Sequence, residues 1–138
     1  MTSTDERGTA VLELVLLVPV FLLMVYVVVG LGRLGTARGD IDAVARDAAR
    51  AGSIARSADQ AAAAARAAAT DALGVHDIPC AELAVDVDTA QFRPGGRVSV
   101  EVSCRVELRD LVGMWAPGIK TMSAQSQAVV DTFRGLAP

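Results

Sequence analysis

A chain of 138 residues, 52% of them hydrophobic but only 4% aromatic, has room for one membrane-length apolar segment and one small further domain. Its formal net charge of −3, with no Lys/Arg cluster interleaved with aromatics, argues against a nucleic-acid partner. Two distant cysteines with the lone His76 make a poor metal site. No Ser-His-Asp set and no phosphate-cradling glycine loop is present, so neither catalysis nor a cofactor is expected.

Residues 1–8 are polar and too short to fold, and are set aside as a processing segment. The next segment, 9–32, contains an uncharged run of nineteen residues from Leu14 to Gly32. At 1.5 Å per residue such a helix crosses a hydrocarbon core of ~30 Å. A single carboxylate, Glu13, stands at its edge, and an ionised group inside the hydrocarbon costs about 2.5–3.5 kcal/mol even on the lenient insertion scale. Pro19 removes a backbone donor, which predicts a mild kink or a loosened hydrogen bond over 15–19. Gly30, Gly32, Gly35 and Gly39 each weaken a helix by up to ~1 kcal/mol relative to alanine, which predicts a bend at the membrane exit. Gly35-x-x-x-Gly39 is alternatively a close-packing face for a neighbouring helix. A secretory signal explains the run poorly, because its apolar region is ~7–15 residues long and Arg33 interrupts before Gly35-Thr36-Ala37. A plain anchor explains the hydrophobicity but neither Gly8 nor Glu13.

Segment 33–74 is Ala-rich and helical in period. Ile41, Val44, Ala45, Ala48, Ala51, Gly52 and Ala55 recur at three- and four-residue spacing, and Asp42 stands four residues before Arg46 in the favourable polarity. A brief break is expected at Gly52-Ser53, with helix resuming over 58–72 and stopping at Leu73-Gly74. A solvated helix or tether is the alternative reading of the alanine run. His76, just past the stop, reads as a capping or surface residue.

Segment 75–138 changes to period two. Leu83, Val85 and Val87 alternate with polar or small residues, as do Val98, Val100 and Val102, and the turn residues of 91–97 lie between them. This predicts a hairpin. Pairing the two valine sets directly makes opposite residue numbers sum to 185, so that Cys104 faces Ala81. A third strand is expected over 123–133, preceded by an apolar loop, 111–118, whose Met114 and Trp115 read as core plugs. Three strands against the helix give an α+β architecture: a long membrane-spanning helix continuing through a Gly-rich bend into an Ala-rich helix, then a small antiparallel sheet. Cys80 and Cys104 sit at the outer ends of the hairpin strands. A disulfide there needs Cys80 to leave the strand, which Pro79 favours; the alternative is two inert, buried thiols.

The polar leader ending in Gly8, followed by Glu13 as the fifth residue counted from Thr9, resembles a type IV prepilin N-terminus. Within that family the chain is similar to the TadE-like pseudopilins of tight-adherence (Flp-type) pilus systems. The likeness lies in Arg7-Gly8, Glu13 followed six residues later by Pro19, the aliphatic run ending in Gly32-Arg33-Leu34, and the Arg-dotted helix from Ala43 to Ser53. Residues 7–56 carry it. The resemblance implies a bacterial membrane protein cut between Gly8 and Thr9 by a prepilin peptidase, with Glu13 meeting the new amine of a neighbouring subunit. It further implies a role as a minor pseudopilin among other pilins, pseudopilins and the pilus assembly platform. The N-terminus would then be cytoplasmic and the C-terminal domain extracytoplasmic, with incorporation into an extracellular filament. Counting positive charges gives the opposite orientation, since Arg33, Arg38, Arg46 and Arg50 follow the span and only Arg7 and the amino terminus precede it. The alternative function is a membrane-tethered extracytoplasmic binding module with no assembly role, which needs neither Gly8 nor Glu13.

Overall fold

The computed structural model describes residues 5–113 and 117–133, the side chains of 5–10 and 112 excepted. The elements in chain order are α1 (Asp5–Ser53), α2 (Ala58–Val75), β1 (Glu82–Asp88), β2 (Arg97–Glu107), α3 (Leu108–Val112) and β3 (Ile119–Val129). The strands form one antiparallel sheet in the order β1-β2-β3. The architecture is α+β, as the two periodicities of the sequence require.

Helix α1 is a single 49-residue element, assigned as helix without a break through Pro19, Gly30, Gly32, Gly35 and Gly39. Its two halves live in different surroundings. From Val11 to Leu31 the large apolar side chains are exposed on every side, whereas Ala37, Ile41, Val44, Ala45, Ala48 and Ala49 are buried in the core. Tertiary packing thus holds the C-terminal half, since small side chains let a neighbour approach closely.

That neighbour is α2. The expected brief break is a full reversal. The Ser53 hydroxyl donates to the Arg50 carbonyl at 2.8 Å, ending α1, and Ser57 caps α2 by accepting from the Gln60 N–H at 3.3 Å. Helix α2 then runs back along α1, burying Ala61, Ala65, Ala69 and Leu73, an i,i+4 stripe. At the reversal two stripes of small residues face each other, and they exclude water at short separation. Gly52 marks the closest approach. A Cβ there would lie 3.3 Å from the Ala61 carbonyl oxygen and from Val98 Cγ1, and 3.6 Å from Ala65 Cβ. Gly52→Val is therefore expected to overpack this junction and to destabilise by about 1–3 kcal/mol, read as a lowered thermal midpoint of the detergent-solubilised chain. An unchanged midpoint would show that the helices have room to separate.

Strand β2 is the centre of the sheet. Val98, Val100, Val102, Cys104 and Val106 are all fully buried against the helices, while Leu83, Val85 and Val87 of β1 are half-buried. The hairpin exists, but its register differs from the expected one. Val85 pairs with Val102, Val87 with Val100 and Leu83 with Cys104, so opposite residues sum to 187 and Cys104 does not face Ala81. A shift of two residues keeps every side chain on its face, so hydrophobic alternation cannot choose between the two registers. The connection chooses. The Asp88 carboxylate accepts from the Ala90 N–H at 2.8 Å, and the Arg97 N–H reaches the Gln91 carbonyl at 3.2 Å, which closes a loop over residues 89–96 and carries Val98 past the end of β1.

Strand β3 begins at Ile119, four residues before the expected start, and ends at Val129 rather than at Phe133. It pairs with β2 along its whole length, from Ile119 opposite Glu107 to Val129 opposite Arg97. Past Val129 the chain turns, with the Asp131 carboxylate accepting from the Phe133 N–H at 3.0 Å. In the expected apolar loop, Leu111 belongs to α3, whereas Met114 and Trp115 lie outside the described residues.

Candidate functional site

The residues singled out by sequence lie along α1 and at the base of the hairpin. Gly8 and Thr9 are in the first turns of α1. Glu13 is exposed, flanked by Val11, Leu12, Leu14 and Val15, each more than three-fifths exposed. Among the described residues it has no hydrogen-bond or ion-pair partner. The next charge along α1 is Arg33, twenty residues on, which is about 30 Å of helix. A helix apolar on all faces for that length is stable when lipid or other apolar helices surround it, and the carboxylate at its head is the one formal charge between Val11 and Gly32.

The four glycines separate into two kinds. Gly30 is buried, whereas a Cβ at Gly32, Gly35 or Gly39 would meet nothing within 4 Å. Among the described residues, the last three have open space where a side chain would stand.

Cys80 and Cys104 are joined as a disulfide, with Cα atoms 5.5 Å apart. Cys104 is fully buried on β2, and Cys80 precedes β1, its N–H donating to the Ile78 carbonyl at 2.8 Å. Ladder pairing begins just after it, where the Ala81 N–H reaches the Arg105 carbonyl at 2.8 Å. Leaving the strand is what lets Cys80 reach a cysteine that faces Leu83.

Sequence reasoning missed a groove of about 810 Å³ where α1 leaves its exposed stretch, bordered by Arg33, Asp40, His76, Asp77, Asp110 and Leu111. His76 caps α2, its N–H donating to the Ala72 carbonyl at 3.0 Å, and its Nδ1 stands 3.6 Å from Asp40 Oδ1. The contact ties the end of α2 to α1. No local signal announces the groove, because its walls come from positions 33, 76 and 110. Among the described residues no three of His, Cys, Asp and Glu converge as metal ligands.

Comparison with family models matches residues 8–50 to the TadE-like protein family. The match covers less than half of the chain and coincides with α1, from Gly8 to three residues before the helix ends. Neither the curated proteins nor the solved structures contain a match to this chain.

Proposed function

From the premise that residues 8–50 of this chain are TadE-like, we propose that the protein is a minor pseudopilin, an assembly subunit of a tight-adherence (Flp-type) pilus or a related secretion machine. It is inserted once in the bacterial cytoplasmic membrane, N-terminus inside, and its helix hairpin and sheet are extracytoplasmic. A prepilin peptidase trims it after Gly8. Its role is structural rather than catalytic: α1 bundles with the helices of other pilins and pseudopilins on the assembly platform, and Glu13 receives the Thr9 amine of a neighbour.

The observation that carries this reading is the coincidence of the family match with α1, opening at Gly8 and containing Glu13 in a helix whose large apolar side chains from Val11 to Leu31 are exposed. The disulfide supports the outward orientation, since such bonds persist in oxidising compartments and are rare in the cytosol.

Mass spectrometry of the mature N-terminus tests it. Co-expression with a prepilin peptidase is expected to remove eight residues and expose Thr9, and Gly8→Ala or a bulkier replacement is expected to slow this severely. An intact Met1 in assembled material, or a cut after Ala37, would leave the tethered binding module as the better reading.

A further inference from the structure

The soluble domain descends beside α1 at its membrane end. A Cβ built on Gly113, just after α3, would lie 3.2 Å from the Tyr26 hydroxyl. Tyr26 precedes Arg33, the first charge after the uncharged run, by seven residues, and so lies about 10 Å below it along the helix. Helix side chains lean toward the N-terminus, which puts the hydroxyl no higher than that level. Gly113 is therefore below the plane of Arg33, alongside residues that a bilayer would surround.

The descent is built in rather than incidental. Helix α3 closes with the Gly113 N–H donating to the Arg109 carbonyl at 3.0 Å. The Leu108 N–H donates to the Gly118 carbonyl at 2.9 Å, which ties the end of β2 to the start of β3. Among the exposed side chains at this base are the apolar Ile119, 61% exposed, and Pro117, alongside the charged Arg109 and Asp110 of α3. Charged groups flank it, with Arg33 in the groove beside Leu111, Asp110 and Asp40, and Lys120 and Arg38 in a hollow beside Leu31. Exposed apolar groups beside long cationic side chains, Arg109 among them, suit the boundary where acyl chains meet phosphates.

We infer that the base of the domain, α3 with Gly113 and Pro117–Ile119, is a second membrane contact of this chain. It seats in the headgroup-acyl boundary of the leaflet through which α1 leaves, with Arg33 and Lys120 at phosphate level. This holds the domain at a fixed height and tilt against the bilayer. It rests on α1 crossing a membrane, and it is independent of orientation and of pilus assembly.

The test uses the full chain in vesicles of phosphatidylcholine and phosphatidylglycerol. Because both native cysteines are in the disulfide, a nitroxide can be placed on one introduced cysteine at a time: Leu23→Cys in the span, Leu111→Cys and Ile119→Cys at the base, and Arg93→Cys in the far loop. Accessibility to oxygen, which concentrates in hydrocarbon, is compared with accessibility to an aqueous nickel complex. The oxygen-to-nickel ratio at Ile119 and at Leu111 is expected to be several-fold above that at Arg93 and below that at Leu23. A ratio at Ile119 equal to that at Arg93, with Leu23 still lipid-like, would overturn the second contact and leave the span standing. Low access of both reagents at Ile119 would mean shielding by protein and would overturn it too. An aqueous ratio at Leu23 would remove the span itself, and the second contact with it.

Discussion

Glu13→Leu is expected to leave the protein inserted in the membrane and unable to enter a filament. Insertion should improve, because the substitution removes a carboxylate costing about 2.5–3.5 kcal/mol in the hydrocarbon and leaves α1 uniformly apolar. Assembly should fail because one group that orients α1 against its neighbours is gone. An ionised carboxylate in a helix bundle is tolerable when a cation is close, and the Thr9 amine of an adjacent processed subunit is the partner proposed here. Glu13→Asp keeps the charge but shortens its reach by one methylene, so an intermediate defect is expected. A Gly8 variant that blocks trimming should resemble Glu13→Leu, since it denies the glutamate its amine. The measurement is cross-linking and co-purification of each variant with pilus partners in a native host. Wild-type association and piliation for Glu13→Leu would make the carboxylate incidental to assembly.

Breaking the Cys80–Cys104 bond is expected to have the largest effect on stability. The bond joins residues 24 apart in sequence, and on the chain-entropy model a loop of that length is worth about 3.5 kcal/mol. That is a large share of the stability of so small a domain. Cys80→Ala is the informative variant, because Cys80 lies outside the ladder whereas Cys104 is fully buried and fills its site on β2 with or without a partner. Its thermal midpoint should fall by roughly 10–20 °C, and reduction of the wild type should do the same. In protein taken from native envelopes, both cysteines should resist alkylation until reductant is added. Alkylation without reductant would remove the support that the disulfide gives to an extracytoplasmic domain.

Periodicity made much of the fold legible. The apolar run after Glu13 could only be a helix in an apolar environment, and the alternation at 83–87 and 98–106 could only be half-buried strands. Resumption of helix at Ala58 was equally readable, from alanine content, and the structure adds Ser57 as its cap. What stayed hidden falls between elements. Gly52-Ser53 showed that the helix weakens, but not that the chain reverses there, because an alanine stripe looks alike whether it faces solvent, a sheet or another helix. The early start of β3 was hidden by Lys120 and Thr121, polar residues that β2 nevertheless pairs along its length.

For the candidate site the same division holds. The TadE-like segment, with Gly8 and Glu13 in it, is a linear feature, legible because an apolar run and its flanking residues are adjacent in sequence. The groove at Arg33 and the approach of Gly113 to Tyr26 depend on distances between residues far apart in the chain. Sequence alone determined which residues are apolar, at what period, and where the charges interrupt them, because those properties act through local backbone geometry. Only the tertiary structure decided the hairpin register, the reversal of α2 onto α1 and the height of the sheet beside the span. Those choices are made by competing long-range contacts of equal local merit: two registers put the same valines on the same face, and only the closure of the loop over residues 89–96 separates them.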